Sequence, residues 1–310
     1  DIARVLAAGS RHSLRDGRAV LHSLPVAYSI DGVDGVRDPR GMLGSRFGVH
    51  MHIATTDVAA ARNLILAVER GHLDVEAMVA SPYGAGLAVL ADDEADLGSA
   101  VVDLGAGTTT MGVFLGGRCV HLEGFALGGQ HVTMDIARGL NARIADAERI
   151  KTLYGSVLAG GSDERDMVTV PPLSEDEREQ AQFVSRAALV GIIKPRVEEI
   201  LEMVRDRLAA TSIAAERRGH VILTGGASQL TGLPDLASRI LARPVRVGRP
   251  LGIAGAPESA KGPAFAVAAG LLVYPQAAHL EHFEARRKRH LMTGTGGYFT
   301  RVGQWLRESF

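Results

Sequence analysis

The chain has 310 residues, 46% hydrophobic and 22% charged, which is enough apolar material for large buried cores and a length that suits two domains or one divided one. Its formal net charge of −1 gives no positive field to gather nucleic acid, so nucleic acid is excluded as an expected partner and any basic function must be local. The single cysteine, Cys119, excludes an internal disulfide framework, argues against a thiolate zinc site and fits a reducing compartment. No run approaches the ~18 to 20 apolar residues of a spanning helix and the N-terminus has no signal-peptide layout, so any membrane contact is expected to be peripheral. The chain opens on Asp1 without an initiating methionine, which reads as an excerpt or a processed piece.

Residues 1–18 read as a short helix and turn, and 19–30 as a strand. The Asp/Gly-rich stretch 31–44 reads as a loop, and the alternation over 49–54 as a half-buried strand. Thr56 or Asp57 caps a helix whose apolar stripe is Val58, Ala61, Leu64, Ile65 and Val68 and which stops at Gly71. A strand is expected over 75–81, a helix over 83–91, and a buried strand over 100–104. Residues 111–115 and 118–122 form a hairpin about Gly116-Gly117, because two glycines supply the positive φ of a tight turn.

Helices follow around 131–140 and 145–154, and the polar stretch 160–172 reads as an exposed excursion. Ser174 with Glu177 makes a capping box for a long helix reaching about residue 208, which Pro195 should kink or split. A strand over 220–223, a helix over 233–241 and an Ala/Gly-rich helix over 262–274 complete the body. Residues 275–297 read as a polar linker carrying the basic run Arg286-Arg287-Lys288-Arg289. There is no internal repeat of fixed period.

Three junctions carry candidate chemistry. The first, Asp103-Leu104-Gly105-Ala106-Gly107-Thr108-Thr109, puts a carboxylate at the end of a buried strand and then a turn with open backbone N–H groups. Such a turn can hold phosphate oxygens while Asp103 holds a metal-bound water; the plain alternative is an ordinary hairpin turn. The second is Glu148 and Lys151, three apart on one helix face, placed to hold ribose hydroxyls or to form a surface ion pair. The third is Thr224-Gly225-Gly226-Ala227-Ser228, where glycines let backbone approach a base or phosphate closely, with positive φ expected at Gly226; it also reads as an ordinary strand-to-helix turn. The three in this order at element junctions are far less expected by chance than any one.

In these residues the chain resembles the actin, sugar-kinase and heat-shock chaperone superfamily, where a DxGxGT hairpin, an ExxK helix and a GG[AS] turn surround a nucleotide between two domains. Leu21-His22-Ser23-Leu24-Pro25 with Tyr28, Asp31-Gly32 and Gly41-Met42-Leu43-Gly44 resemble the small extra subdomain of the FtsA family of cell-division proteins. Asp146 to Gly155 and Trp305-Leu306-Arg307 resemble that family too. The resemblance implies an α/β, actin-like (ribonuclease H-like) two-domain ATP-binding fold, with Gly129 added to the nucleotide contacts and ATP with Mg2+ as ligand.

It also implies a layout: a small subdomain over 1–78, part of a first actin-like domain over 79–98, and a second domain over 99–252 with an inserted subdomain over about 128–219. Residues 253–275 return to the first domain, 276–297 are a basic linker, and 298–310 a terminal helix. Two departures stand out. Thr110 replaces the acidic residue that usually follows the paired threonines, and no DxGxx[ST] turn precedes Asp103, which implies that the N-terminal half of the first domain is not in this sequence. The pairs His50 with His52 and His279 with His282 lack a partner to complete a metal shell and are expected to be solvated. No GxSxG elbow is present.

The last segment places Phe299, Val302, Trp305, Leu306 and Phe310 on one stripe, with Arg301, Gln304, Arg307 and Glu308 largely opposite. This is an amphipathic helix that either docks back on the protein or, after its long basic linker, lies in an anionic membrane surface; Phe299, Arg301, Val302, Trp305, Leu306, Arg307 and Phe310 are the expected membrane contacts. The resemblance implies an ATP-binding protein that self-assembles and tethers FtsZ at the cytoplasmic face of the bacterial inner membrane, at the division site, with other division proteins as partners. It places the FtsZ contact within about 128–220. No residue stands out as a general base, so ATP reads as an assembly ligand. The alternatives are a small-molecule kinase of the sugar type on the same scaffold, which needs a carboxylate base in the cleft, and a chaperone or plasmid-segregating filament, neither of which needs a membrane helix.

Overall fold

The computed structural model describes residues 2–9, 14–161, 163–172, 181–211, 219–278 and 281. The capping box of Ser174 with Glu177, His279, His282, the basic run and the terminal amphipathic segment lie outside the described residues.

The N-terminal unit is a three-stranded antiparallel sheet, order β2-β1-β3, built from β1 (Arg18–Ile30), β2 (Val33–Val36) and β3 (Phe47–Asp57). Helix α1 (Ile2–Gly9) lies so close to β3 that a Cβ on Gly9 would stand 2.8 Å from Val49 Cγ1. Strand β2 falls inside the expected loop. Asp31 and Gly32 sit at φ 51° and 88°, the left-handed pair that lets a tight turn follow strand twist, so the chain reverses and pairs at once. Helix α2 (Val58–Glu69) starts at Asp57, whose carboxylate accepts from the Ala59 and Ala60 N–H groups. Its apolar stripe, expected to pack, contains no buried residue, and Leu64 is 59% exposed.

The second unit is a five-stranded mixed sheet, order β10-β9-β4-β5-β6. Strand β4 (Ser99–Leu104) runs parallel to β9 (His220–Thr224), which runs parallel to β10 (Val245–Val247). It runs antiparallel to β5 (Thr109–Leu115), and β6 (Arg118–Phe125) completes the hairpin expected about Gly116-Gly117. Alternation along the strands splits the core over two faces. Val102, Leu104, Met111 and Leu223 pack under α5 (Gly129–Gly139), α6 (Ile144–Tyr154), α7 (Arg186–Ala209) and α8 (Leu233–Leu241). Val101, Phe114 and Ile222 pack under α3 (Ser81–Val89) and α9 (Ala266–Ala277). Those two helices meet backbone to backbone, because a Cβ on Gly270 would stand 1.8 Å from the Gly84 carbonyl oxygen.

Other expectations need correction. Residues 73–80 form no strand: they join no sheet ladder among the described residues, and the Ala80 N–H is spent on the His22 side chain of β1 instead of a strand backbone. The stretch read as an exposed excursion contains β7 (Met167–Val170), paired with β8 (Gln182–Ser185), and buries Val168 and Val170; four alternating residues are a short signal for a partner so far along the chain. Helix α7 starts at Ser185, which caps Ala188 N–H, and continues through Pro195 as one helix. Burial of Leu189, Ile193, Val197, Leu201 and Val204 on one side supplies tertiary packing that outweighs one lost backbone hydrogen bond. Short α4 (Asp92–Leu97) and β10 were not legible as periodic segments.

Candidate functional site

Strand β4 delivers Asp103 to the edge where three separate stretches meet. In the sheet register Asp103 stands opposite Thr110 on one side and Thr224 on the other, so the turns after β4 and β9 are neighbours. They touch closely: Gly225 has φ 83°, and a Cβ there would lie 2.3 Å from Asp103 Oδ1 and 2.5 Å from the Leu104 carbonyl oxygen. The positive φ expected at Gly226 therefore belongs to Gly225; a Cβ on Gly226 would meet nothing nearer than Ala264 Cβ at 3.9 Å.

Within the first turn Gly105 N–H donates to the Thr108 carbonyl at 3.0 Å, while Thr109 is buried and donates to the Leu127 carbonyl at 2.8 Å. The start of α5 docks on the same turn, with Gly129 N–H on the Gly105 carbonyl at 2.9 Å and Gln130 N–H on the Ala106 carbonyl at 2.8 Å. Two of the orphan donors of that helix are thus spent on protein. The amide N–H groups of Ala106, Gly107 and Thr108, all exposed, have no partner among the described residues. Nothing lies within 4 Å of a Cβ on Gly107. A run of free N–H groups around an open glycine is the geometry that holds an anion.

The Asp103 carboxylate has no hydrogen-bond partner among the described residues, and burial raises its pKa. A partly buried carboxylate without a donor, beside free N–H groups, fits a cation-bound water next to an anion. Among the described residues no cluster of three His, Cys, Asp or Glu side chains is set to hold a metal by itself. Thr110, at the departure from the family pattern, lies 3.3 Å from Ser81 Oγ at the start of α3.

In the third stretch Ser228 is buried, its hydroxyl donating to the Gly225 carbonyl at 2.7 Å, so it braces the turn. Ala227 faces Gly129, with Cβ 2.9 Å from where a glycine-129 Cβ would be. Lys151 joins the same point: its ammonium donates to the Gly129 carbonyl at 3.1 Å, to Thr133 Oγ1 at 2.8 Å and to Glu148 Oε2 at 2.7 Å. Burial pushes the Glu148 carboxyl up, but the bonds from Lys151 and Thr133 and the lysine charge outweigh it and hold the pKa below the usual value. All the candidate residues of the three motifs thus gather at one edge of the sheet. Thr133 was not foreseen; its only sequence signal is its place one helical turn beyond Gly129.

The histidine expectation is split. His50 is exposed and pairs with Asp34 at 3.1 Å, whereas the His52 Nε2 is buried without a hydrogen-bond partner among the described residues. Burial, and then the charges of His121 and His22, lower the His52 pKa. Burial also pushes the Cys119 thiol up to about 12, an inert core sulfur.

Residues 100–270 match the family model described as cell division protein FtsA, and residues 1–55 match the SHS2 domain inserted in FtsA. Cell division protein FtsA of Agrobacterium fabrum (strain C58) is 53% identical over 311 residues, covering 100% of this chain and 70% of that protein. The Escherichia coli K12 protein of the same name is 32% identical over 317 residues, covering 100% and 74%. Among solved structures, MreB5 of Spiroplasma citri bound to ADP superposes with TM-score 0.59 at 16% identity, covering 72% of this chain and 67% of that one. A PilM-PilN type IV pilus biogenesis complex gives TM-score 0.56 at 21% identity, covering 75% and 62%. Since a relative more than half identical along the whole chain is itself a cell division protein FtsA, this chain belongs to the FtsA family of cell-division proteins and has its actin-like fold.

Proposed function

We propose that the edge formed by Asp103–Thr109, Gly129, Glu148 and Gly225–Ser228 is one wall of an ATP site in a protein that self-assembles and tethers FtsZ filaments to the membrane. The phosphates would lie on the free N–H groups of Ala106, Gly107 and Thr108, with Mg2+ carried on the phosphates and reached from Asp103 through water. The base would lie along Gly226. The terminal helix would hold the assembly peripherally at the cytoplasmic face of the inner membrane, at the division site, where other division proteins join it. The contact with FtsZ would fall on the inserted subdomain between residues 128 and 219, which includes β7 and β8.

The observation that supports this reading most is the meeting of the turns after β4 and β9 with the start of α5, beside an Asp103 that has no hydrogen-bond partner among the described residues. Among the described residues no neighbour crowds a Cβ on Gly107 or Gly226, and close approach by a ligand is a reason for glycine that fits both. No second DxGxx[ST] turn precedes Asp103 in this sequence, so the phosphates would be gripped from one side and binding by the chain is expected to be weak. The test is a titration of the chain with Mg-ATP followed by NMR. Saturable shifts should gather on the amides of residues 105–109, 129 and 225–228; no saturable shift there, or shifts elsewhere only, would overturn the ATP reading.

A further inference from the structure

The helix pair Glu148 and Lys151 does not act as two equivalent ligand contacts. An ammonium group has three N–H donors, and Lys151 directs all three at the protein: the Gly129 carbonyl, Thr133 Oγ1 and Glu148 Oε2. Its side chain is only 11% exposed, while that of Glu148 is 53% exposed. The Thr133 hydroxyl accepts from Lys151, and its one proton has two acceptors in reach, Glu148 Oε2 at 2.5 Å and the Gly129 carbonyl at 3.1 Å; the nearer, charged oxygen takes it. One carboxylate oxygen therefore receives both protein donors, and the other, Oε1, has no partner among the described residues. Thr133 itself is 1% exposed, so no ligand reaches it.

Resting on the ATP reading above, we infer that Thr133 is a positioning residue that divides the pair: it locks Lys151 inward as a brace and fixes Glu148 so that Oε1 alone reads the ribose hydroxyls of the nucleotide. A carboxylate accepts and cannot donate, so Oε1 selects a ligand that presents hydroxyl donors. A sugar lacking both hydroxyls leaves it unpaired. The valine isostere at 133 removes the hydroxyl without changing shape, frees the carboxylate to rotate, and leaves Lys151 one acceptor short.

The experiment compares ATP with 2′,3′-dideoxy-ATP in NMR titrations of the full chain and its Thr133→Val, Thr133→Ser and Glu148→Gln variants. Hydrogen bonds to a charged group set the scale, so the wild type should prefer ATP by about ten-fold or more. Thr133→Val should lose most of that preference with little change for the dideoxy nucleotide, and Thr133→Ser should restore it. Equal weakening of both nucleotides by Thr133→Val, or an undiminished preference, would overturn the inference while leaving the ATP site standing. No binding of either nucleotide by the wild type would overturn the ATP reading and the ligand role of Glu148 with it. Acylation of lysine amines gives a readout free of nucleotide. Lys151 should be slow to label with or without ATP and fast in Thr133→Val; fast labelling in the free wild type that ATP then blocks would make Lys151 the ligand contact and overturn the division of roles.

Discussion

Adjacent glycines in the turn after β9 have opposite reasons to be glycine. Gly225 is constrained by the fold, since its φ of 83° and its approach to Asp103 Oδ1 leave no room for a methyl group. Gly225→Ala should therefore lower stability by about 1 to 3 kcal/mol in urea unfolding, the cost of a strained backbone plus displacement of the β4 end. Gly226 has open space around it, so Gly226→Val should leave stability within about 0.5 kcal/mol while abolishing the ATP-induced shifts. Equal destabilisation by both would remove the distinction and the close-approach argument for Gly226. The sequence shows glycines at a strand end but not which one bends, because that follows from the parallel register of Asp103 with Thr224, a pairing between strands more than a hundred residues apart. The same limit hid Thr133, whose place one helical turn beyond Gly129 gains meaning only when α6, with Glu148 and Lys151, is placed against α5.

Elements far apart in the chain are joined by a buried polar contact. His22 on β1 is fully buried and Glu281, past α9, has a side chain 1% exposed; Nδ1 and Oε1 are 3.0 Å apart. The Ala80 N–H donates to His22 Nε2 at 2.9 Å, and an amide can only donate, so the ring proton sits on Nδ1 and points at the carboxylate. The rings of Tyr83 and Tyr274 pack around the imidazole, with centroids 5.0 and 6.3 Å away; burial first, and then the Glu281 charge, push both phenols up. Strand β1, the entry to α3 and the root of the C-terminal segment are thereby held together. Glu281→Ala should cost about 1 to 3 kcal/mol, because it strands a buried donor, and should raise hydrogen exchange at Ala80 and along β1. Replacing both partners, His22→Phe with Glu281→Leu, should cost less than the sum of the two single changes. Unchanged exchange at Ala80 in Glu281→Ala would show that the contact does not join these elements. Residue 281 reads from sequence as polar linker, since nothing local announces a partner 259 positions away. The hairpin, the two glycine turns of the site and the Glu148–Lys151 pair were legible because each has its own local signature.

At the scale of the whole molecule, one apolar face left open among the described residues is the outer face of α9 and the segment before it, where Leu251, Phe265, Leu271 and Leu272 are 44–69% exposed; the stripe of Phe299, Val302, Trp305, Leu306 and Phe310 expected from the sequence lies outside the described residues. Among the described residues no helix is long and apolar enough to cross a membrane; the proposed membrane contact is the terminal stripe lying in the surface. Five such side chains at roughly 1 kcal/mol each contribute on the order of 5 kcal/mol before the cost of ordering the segment. One helix then holds weakly, and firm attachment needs several tethers in one assembly. The competing outcome is that the stripe folds back on the α9 face. The two differ in electrostatics, because Arg286 to Arg289 and the tail arginines gain about 1 kcal/mol apiece near an anionic surface and lose it within a Debye length as salt rises. Vesicle co-sedimentation should therefore increase with anionic lipid, fall with salt, and be lost in Trp305→Glu and in a chain ending at residue 297. Docking on α9 predicts neither trend; instead Trp305→Glu would expose Leu272 and promote self-association in the absence of lipid. Equal sedimentation of all three chains at every lipid charge would exclude the tether and leave the terminal segment as a packed element of the body.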